Sequence, residues 1–301
     1  MKFEIIHLTG ASGFIGSKLN QRLTKEGVKV FSYDFKNISK VNLEPKRIKD
    51  MLQENLDKQQ IILHFGAVAS TSDLEIEEVR EKNVEYTFWL SKIAANLDIP
   101  FVFASSAATY GRDMQATRDV NPLNYYGSSK ARGEEFLISQ YRNHLSNLIV
   151  CRLFNVYGFD ERGKGSMMSI PSRFILDCLT TKEIDIWKLE EGLNQSRDFI
   201  HVEDVVEIII QIIQRHPWSE TLVDLGTGES VAFIKIASLL SKLNEATVNF
   251  IKFPNSFDSS TYQVFTKADL SNLNRLGILH KSNSIESNLD ELLSQYRRSF
   301  I

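Results

Sequence analysis

Near the N-terminus the stretch TGASGFIGS sits between the β-rich run FEIIHL and a helix-periodic segment from about Phe14 to Glu26. A strand that turns through glycines straight into a helix commits the chain to a crossover connection. The alternation then repeats with VKVFSYD, a helix near Lys46 to Asn55, QIILHFG, a long helical pattern from about Glu77 to Asn96, PFVFASS, a helix beginning near Asn124, and NLIVCRLF. Strands joined by crossover helices lie parallel. The expected fold is therefore α/β, a doubly wound parallel sheet whose functional groups gather at the strands' C-terminal ends.

Gly10, Gly13 and Gly16 are spaced three and three. Glycines there permit a tight turn, let backbone approach a pyrophosphate, and let the next helix aim its N-terminus at the phosphates. An ordinary strand-to-helix turn is the plainer alternative. Asp34 ends the second strand, where a carboxylate would accept hydrogen bonds from an adenosine ribose. That favours NAD, whereas Lys36 or Lys40 could neutralise the 2′-phosphate of NADP, so both cofactors stay open.

Past Asn155 the regularity breaks. VYGFDERGKGSMMS reads as a loop, followed by a helix from about Ile170 to Leu179, the strand IDIWKL, a helix from about Val202 to Gln214 and the strand TLVDLG. A helix from about Val231 to Leu243, the polar loop PNSFDSSTY and two short helices close the pattern. We expect a cofactor-binding domain over 1–155 with a return segment at about 198–216, and a smaller α/β substrate-binding domain over 156–197 and 217–301. The pair Gly226 and Gly228 reads as a strand-to-helix turn.

Composition narrows the partners. A formal charge of -3 over 301 residues gives no electrostatic reason to expect nucleic acid. No apolar run reaches the roughly 18 residues of a membrane span, and the N-terminal apolar run is too short for a signal peptide. Cys151 and Cys178 are far apart and read as core fillers, and the six histidines are too scattered for a metal site. A cytoplasmic protein without metal is expected, with a homo-oligomer as its assembly.

The stretch ASSAATYG carries Ser105 and Ser106 to a strand end, and in NYYGSSK Tyr126 and Lys130 are i and i+4 on one helix face. A nearby ammonium favours a phenolate, which would make Tyr126 a proton shuttle near neutral pH. Tyr125 points elsewhere. Ser106 would hold a substrate hydroxyl while Tyr126 takes its proton. By itself Lys164, between two glycines, reads as an exposed loop lysine. Arg197 suits bidentate phosphate recognition, or else a salt bridge with Asp198 or Glu203.

TGASGFIG, Asp34, Ser106 and the Tyr126-Gly-Ser-Ser-Lys130 run together resemble the extended short-chain dehydrogenase/reductase superfamily. The resemblance implies NAD or NADP on a Rossmann domain and a nucleotide sugar on a C-terminal one. It makes Tyr126 the catalytic acid/base, with Lys130 lowering its pKa and holding the cofactor. The superfamily's 4,6-dehydratases carry an Asp-Glu pair where this chain has Ala107 and Ala108, so elimination is disfavoured.

FASSAATYG, NPLNYYGSSK, RLFNVYG, GKGSMMS, SRDFIHVEDVV, VDLGTG and TYQVFTKADL resemble the ADP-glyceromanno-heptose 6-epimerase branch most specifically. That likeness implies an isomerase of lipopolysaccharide-precursor metabolism with Lys164 as a second base at C6″. It places Phe14, Ile15, Phe65, Gly66, Ala67, Asn83 and Val156 around the cofactor. Asn155 and Ser166 would meet the sugar, Arg197 the diphosphate and Tyr262 the substrate. The branch has glutamate, histidine and arginine where this chain has Phe65, Arg173 and Thr261, all at the pocket. A 4-epimerase or dehydrogenase of another nucleotide sugar is the first alternative, and a non-catalytic NAD(P)-binding sensor the second.

Overall fold

The computed structural model describes residues 2–34, 43–69, 76–112, 119–189, 195–253 and 261–299. The first half runs β1 (Ile5–Thr9), α1 (Phe14–Lys25), β2 (Lys29–Tyr33), α2 (Leu43–Glu54), β3 (Gln60–His64), α3 (Ile76–Val79), α4 (Tyr86–Asn96), β4 (Phe101–Ser106), α5 (Tyr125–Gln140) and β5 (Leu148–Leu153). The second runs β6 (Asn155–Tyr157), α6 (Ile170–Thr180), β7 (Glu183–Lys188), β8 (Ser196–Arg197), β9 (Phe199–His201), α7 (Val202–Gln214) and β10 (Leu222–Leu225). It ends with β11 (Val231–Ala232), α8 (Phe233–Asn244), β12 (Thr247–Lys252), α9 (Ser271–Arg275) and α10 (Ile285–Arg298).

Because side chains alternate along a strand, a sheet covered on both faces must be apolar at nearly every position. The chain meets this demand. Ile6, Leu8, Ile61, Leu63, Val102, Ile149 and Cys151 enter one core with Leu19 and Leu23 of α1 and the isoleucines of α7. Ile62, Phe101, Phe103, Leu148 and Val150 enter the other with Leu90 of α4 and Leu137 of α5. The result is a six-stranded parallel sheet in the order β2-β1-β3-β4-β5-β10. β1 lies between β2 and β3, so a crevice opens beyond its C-terminal end, where such folds bind ligands.

The α/β class and parallel sheet agree with the sequence, with four differences. β10, in the stretch expected to belong to the smaller region, is the sheet's edge strand. The long helix is interrupted at Arg80–Glu85 by a π-helical turn that carries Asn83. The run TVNFIK is a strand, β12, pairing in parallel with β7 over six residues; its neighbours in sequence reveal nothing of that partner. The second of the two terminal helices is not short but 14 residues long. It buries Leu289, Leu292, Leu293 and Tyr296 in a separate core with α6 and α8.

Two buried histidines make the sheet sensitive to acid. His7 Nε2 donates to Gln60 Oε1 at 2.8 Å while its Nδ1 faces the Tyr33 hydroxyl at 2.9 Å. His64 lies between the hydroxyls of Thr9, at 2.6 Å, and Thr87, at 2.8 Å. Burial pulls the His7 pKa down to about 4, the Gln60 hydrogen bond opposing it. Burial, assisted by the Lys130 charge, pulls His64 down to about 3. Unfolded imidazoles take up protons below about pH 6.5 and these two do not. Their contribution is complete above that pH and falls as pH drops toward 4 and 3. The expected loss is about 3 kcal/mol between pH 6.5 and 5 for the pair. Urea unfolding at pH 7 and pH 5 checks this, and equal stabilities would refute it.

Candidate active site

The loop between β1 and α1 is built by steric exclusion. Gly10 has φ 71, and a Cβ there would sit 2.6 Å from the Gly66 backbone nitrogen. A Cβ on Gly16 would fall well inside contact with the Gly10 carbonyl oxygen. Only bare backbone lets β1, the β3 end and α1 converge this closely. The Gly66 N–H donates to Thr9 Oγ1 at 3.1 Å, and the Ser12 N–H donates to Asp34 Oδ2 at 2.9 Å. Asp34 thus stands at the loop, as its spacing suggested.

A cavity of about 530 Å³ opens beside this loop. Gly10, Gly13, Phe14, Ile15, Gly16, Phe65, Ala67, Ser106, Tyr126, Lys130, Val156 and Lys164 all line it, together with Val68, Leu153, Phe154 and Met167. Residues from six separate stretches of sequence meet here. The volume, the glycine cradle that any Cβ would fill, and the carboxylate at the β2 end fit a dinucleotide.

Tyr126 is placed by a cap and a close approach. Asn124 Oδ1 accepts the Gly127 N–H at 2.8 Å, starting α5 at Tyr125. A Cβ on Gly127 would collide with the Ala108 carbonyl oxygen, so a glycine lets the helix start lie on the turn after β4. That brings the phenol into hydrogen-bonding reach of Ser106. The Ser106 hydroxyl also accepts the Ala108 N–H at 3.1 Å.

The expected acidification of this phenol is not found. Burial raises the Tyr126 pKa, the Ser106 hydrogen bond opposing it, and no Lys130 charge contributes. Lys130 Nζ instead donates to the Ala104 carbonyl at 2.7 Å and lies 5.0 Å from the Phe103 ring centroid. Sharing a helix face did not aim the ammonium at the phenol. Burial brings Lys130 itself down to about 8, with Glu134, one turn on, favouring its charged form. Glu134 in turn holds Arg152 through two contacts of 3.0 and 2.6 Å and accepts the Ser105 hydroxyl, so the wall behind Ser106 is a buried ion pair.

Lys164 is not the exposed loop lysine its glycine neighbours suggest. It lies in a 3₁₀ turn at Arg162–Met167, its Nζ 2.7 Å from Glu161 Oε2 and 3.9 Å from the Phe14 ring centroid. Burial lowers its pKa, opposed by Glu161. Ser166 lies in the same turn, its side chain outside the described residues, as is Lys40 altogether.

Other candidates occupy different positions. Asn83 does not line the cavity: its Oδ1 accepts the Val68 N–H at 2.8 Å and its Nδ2 donates to the Val68 carbonyl at 2.9 Å. Both ends of its amide thus hold the chain at Val68, which lines the cavity. Asn155 Nδ2 donates to the Asp198 carbonyl at 3.0 Å and Thr266 Oγ1 at 3.1 Å, bracing β6 rather than lining the cavity. Arg173 lies 5.7 Å from the Trp187 ring centroid and does not line the cavity.

Arg197 is buried with its guanidinium 5.2 Å from the Tyr262 ring centroid and 5.6 Å from that of Phe233. It hydrogen-bonds the Ser196 carbonyl at 3.1 Å and Tyr262. Neither Asp198 nor Glu203 pairs with it. Asp198 is occupied by the N–H groups of Thr227, Gly228 and Ala268. Burial draws the Arg197 pKa down, with Tyr262 opposing.

Glu161, which holds Lys164, carries almost no signal in the sequence. Its only sequence signal is a carboxylate three residues before Lys164, in a stretch that read as a solvated loop.

Comparison with known proteins agrees with this geometry. A family model described as NAD dependent epimerase/dehydratase family matches residues 6–223. The ADP-L-glycero-D-manno-heptose-6-epimerase of Helicobacter pylori is similar with a TM-score of 0.79 and 23% identity, over 98% of this chain and 97% of that one. A UDP-N-acetylglucosamine 4-epimerase from Methanobrevibacter ruminantium has a TM-score of 0.81 and 22% identity, over 99% and 100%. A UDP-glucuronic acid 4-epimerase from Bacillus cereus, solved with UDP-glucuronic acid and NAD, has a TM-score of 0.79 and 22% identity, over 98% and 99%.

Proposed function

Since the chain belongs to the NAD dependent epimerase/dehydratase family, we propose that it is a nucleotide-sugar epimerase acting on an ADP-glyceromanno-heptose at C6″. The observation that carries this reading is the presence of Tyr126 and Lys164, from two different elements, on one cavity beside the glycine loop. Inversion of a carbinol carbon goes through a ketone that turns within the site so that hydride returns to its other face, and one fixed side chain cannot easily serve the oxygen in both positions.

NAD is the family's cofactor, and the glycine loop, Asp34, Phe65, Ala67, Lys130 and Val156 would hold it. When bound, it supplies a hydride acceptor and donor. The chain's own residues manage the protons. Ser106 holds the substrate hydroxyl against Tyr126. Tyr126 Oη, protonated at neutral pH in the present state because burial raises its pKa, is ready to donate to a carbonyl oxygen on one face. Lys164 Nζ, whose pKa burial lowers, would accept the hydroxyl proton on the other as hydride leaves. The apolar side chains of Phe14, Phe65, Leu153, Phe154 and Val156 limit water around the exchange. Ala107 and Ala108 follow β4 in a 3₁₀ turn and cannot move protons, which disfavours dehydration.

Arg197 supports a diphosphate ligand. A guanidinium buried between two rings, with no carboxylate partner among the described residues, is expensive to hold and suits a bidentate anion. Arg197→Met should raise KM for the nucleotide sugar roughly 30- to 100-fold. NAD affinity and unfolding free energy should stay near wild type. An unchanged KM would remove the diphosphate assignment.

One observation favours a second reading, another nucleotide sugar on the same machinery. Phe65 lines the cavity where the heptose branch has a glutamate. The test is NMR of ADP-glyceromanno-heptose and, in parallel, of UDP-hexoses, each incubated with the protein and NAD. The proposal predicts C6″ inversion without net NADH. Inversion only of a UDP-hexose would transfer the function to the second reading, and net NADH would make the protein a dehydrogenase.

A further inference from the structure

Glu161 is fully buried, yet its carboxylate receives five donors. Oε1 accepts the Gly158 N–H at 3.1 Å, Ser169 Oγ at 2.7 Å and Ser172 Oγ at 2.6 Å. Oε2 accepts the Ser169 N–H at 2.9 Å and Lys164 Nζ at 2.7 Å. Four of the five come from the β6 end and the start of α6, so these elements fix the carboxylate independently of the lysine. Its backbone N–H adds a 3.3 Å bond to the Tyr296 hydroxyl of α10. The lysine is the only donor of the five that also reaches the cavity.

We propose that Glu161 is the positioning residue of Lys164: it fixes the ammonium over the Phe14 ring at the cavity wall and governs how readily that amine releases its proton. This rests on the reading of Lys164 as the second base. The logic is that of a base held by an orienting group, with a rigid carboxylate setting both direction and proton affinity. Other titratable groups are placed differently. Tyr296 bonds the backbone of Glu161, Asp160 pairs with Arg162 at 4.0 Å, and Tyr126 and Lys130 share the cavity with Lys164. Among the described ion pairs of Lys164, Glu161 is the sole partner.

The test is competitive acetylation of the full-length protein with acetic anhydride across pH, reading the Lys164 peptide by mass spectrometry. Glu161→Gln should lower the titration midpoint of Lys164 by about one pH unit or more. An unmoved midpoint in the folded variant overturns the proposal. Should Glu161→Gln not fold, Ser172→Ala answers the same question. Removing one donor from the carboxylate strengthens its hold on the ammonium, and the Lys164 midpoint should rise by about half a unit. A purely structural Glu161 predicts no shift in that variant, and that result also overturns the proposal. The titration needs no sugar, so its outcome is separate from the turnover of Lys164→Met, on which the second-base reading stands or falls.

Discussion

Tyr126→Phe should slow epimerisation by roughly 10³-fold while leaving NAD affinity and unfolding free energy near wild type. The substitution removes one oxygen and keeps the ring that lines the cavity. Ser106 loses its hydrogen bond to the phenol but still accepts the Ala108 N–H, so no buried polar atom is orphaned and the fold has no reason to respond. Lys164→Met should act alike. Glu161 would lose one donor of five and keep those from Gly158, Ser169 and Ser172. Initial rates by NMR, with thermal unfolding of the same samples, read both effects. Full activity of Lys164→Met would refute the two-base arrangement while leaving the fold and cofactor site as they are.

Gly16→Ala should cost about 2–3 kcal/mol of stability and weaken NAD binding by at least about 30-fold. The added methyl group meets the Gly10 carbonyl oxygen, which belongs to backbone and cannot rotate away. Relief requires the loop to move off α1, and the Gly13 N–H bond to that same carbonyl, 2.9 Å long, moves with it. The loop's N–H groups then no longer converge on a pyrophosphate. Gly111→Ala is the control, since its Cβ would meet only atoms of Asn121 at 3.5–3.7 Å, an ordinary contact distance. Calorimetric titration with NAD and urea unfolding of both variants measure the contrast. Equal NAD affinity for Gly16→Ala and wild type would mean that the loop is not where phosphates bind.

What the sequence makes legible follows from the range of the interactions involved. The glycine loop, the sheet strands and the Tyr126 helix are set by neighbours within a few residues, so spacing and period reveal them. The place of Asp34 just past β2, beside the loop, was legible from the same short range. By contrast β12 exists because β7 lies beside it, and no local pattern in TVNFIK names that partner. The Tyr126 pKa depends on burial by walls distant in sequence and on Lys130 turning to the Ala104 carbonyl. An i, i+4 spacing states nearness but not where a flexible amine points. Glu161 was invisible for a similar reason. Its role comes from Ser169, Ser172 and the β6 end closing around a carboxylate whose sequence context reads as solvent-facing.

In the proposed reaction, hydride leaves and returns to one carbon of the sugar. ADP-glyceromanno-heptose carrying deuterium at C6″, incubated with the full-length protein and NAD in ordinary water, tests this directly by NMR. Inversion with the deuterium still on C6″ is the expected result. Inversion with hydrogen from solvent on that carbon would contradict it.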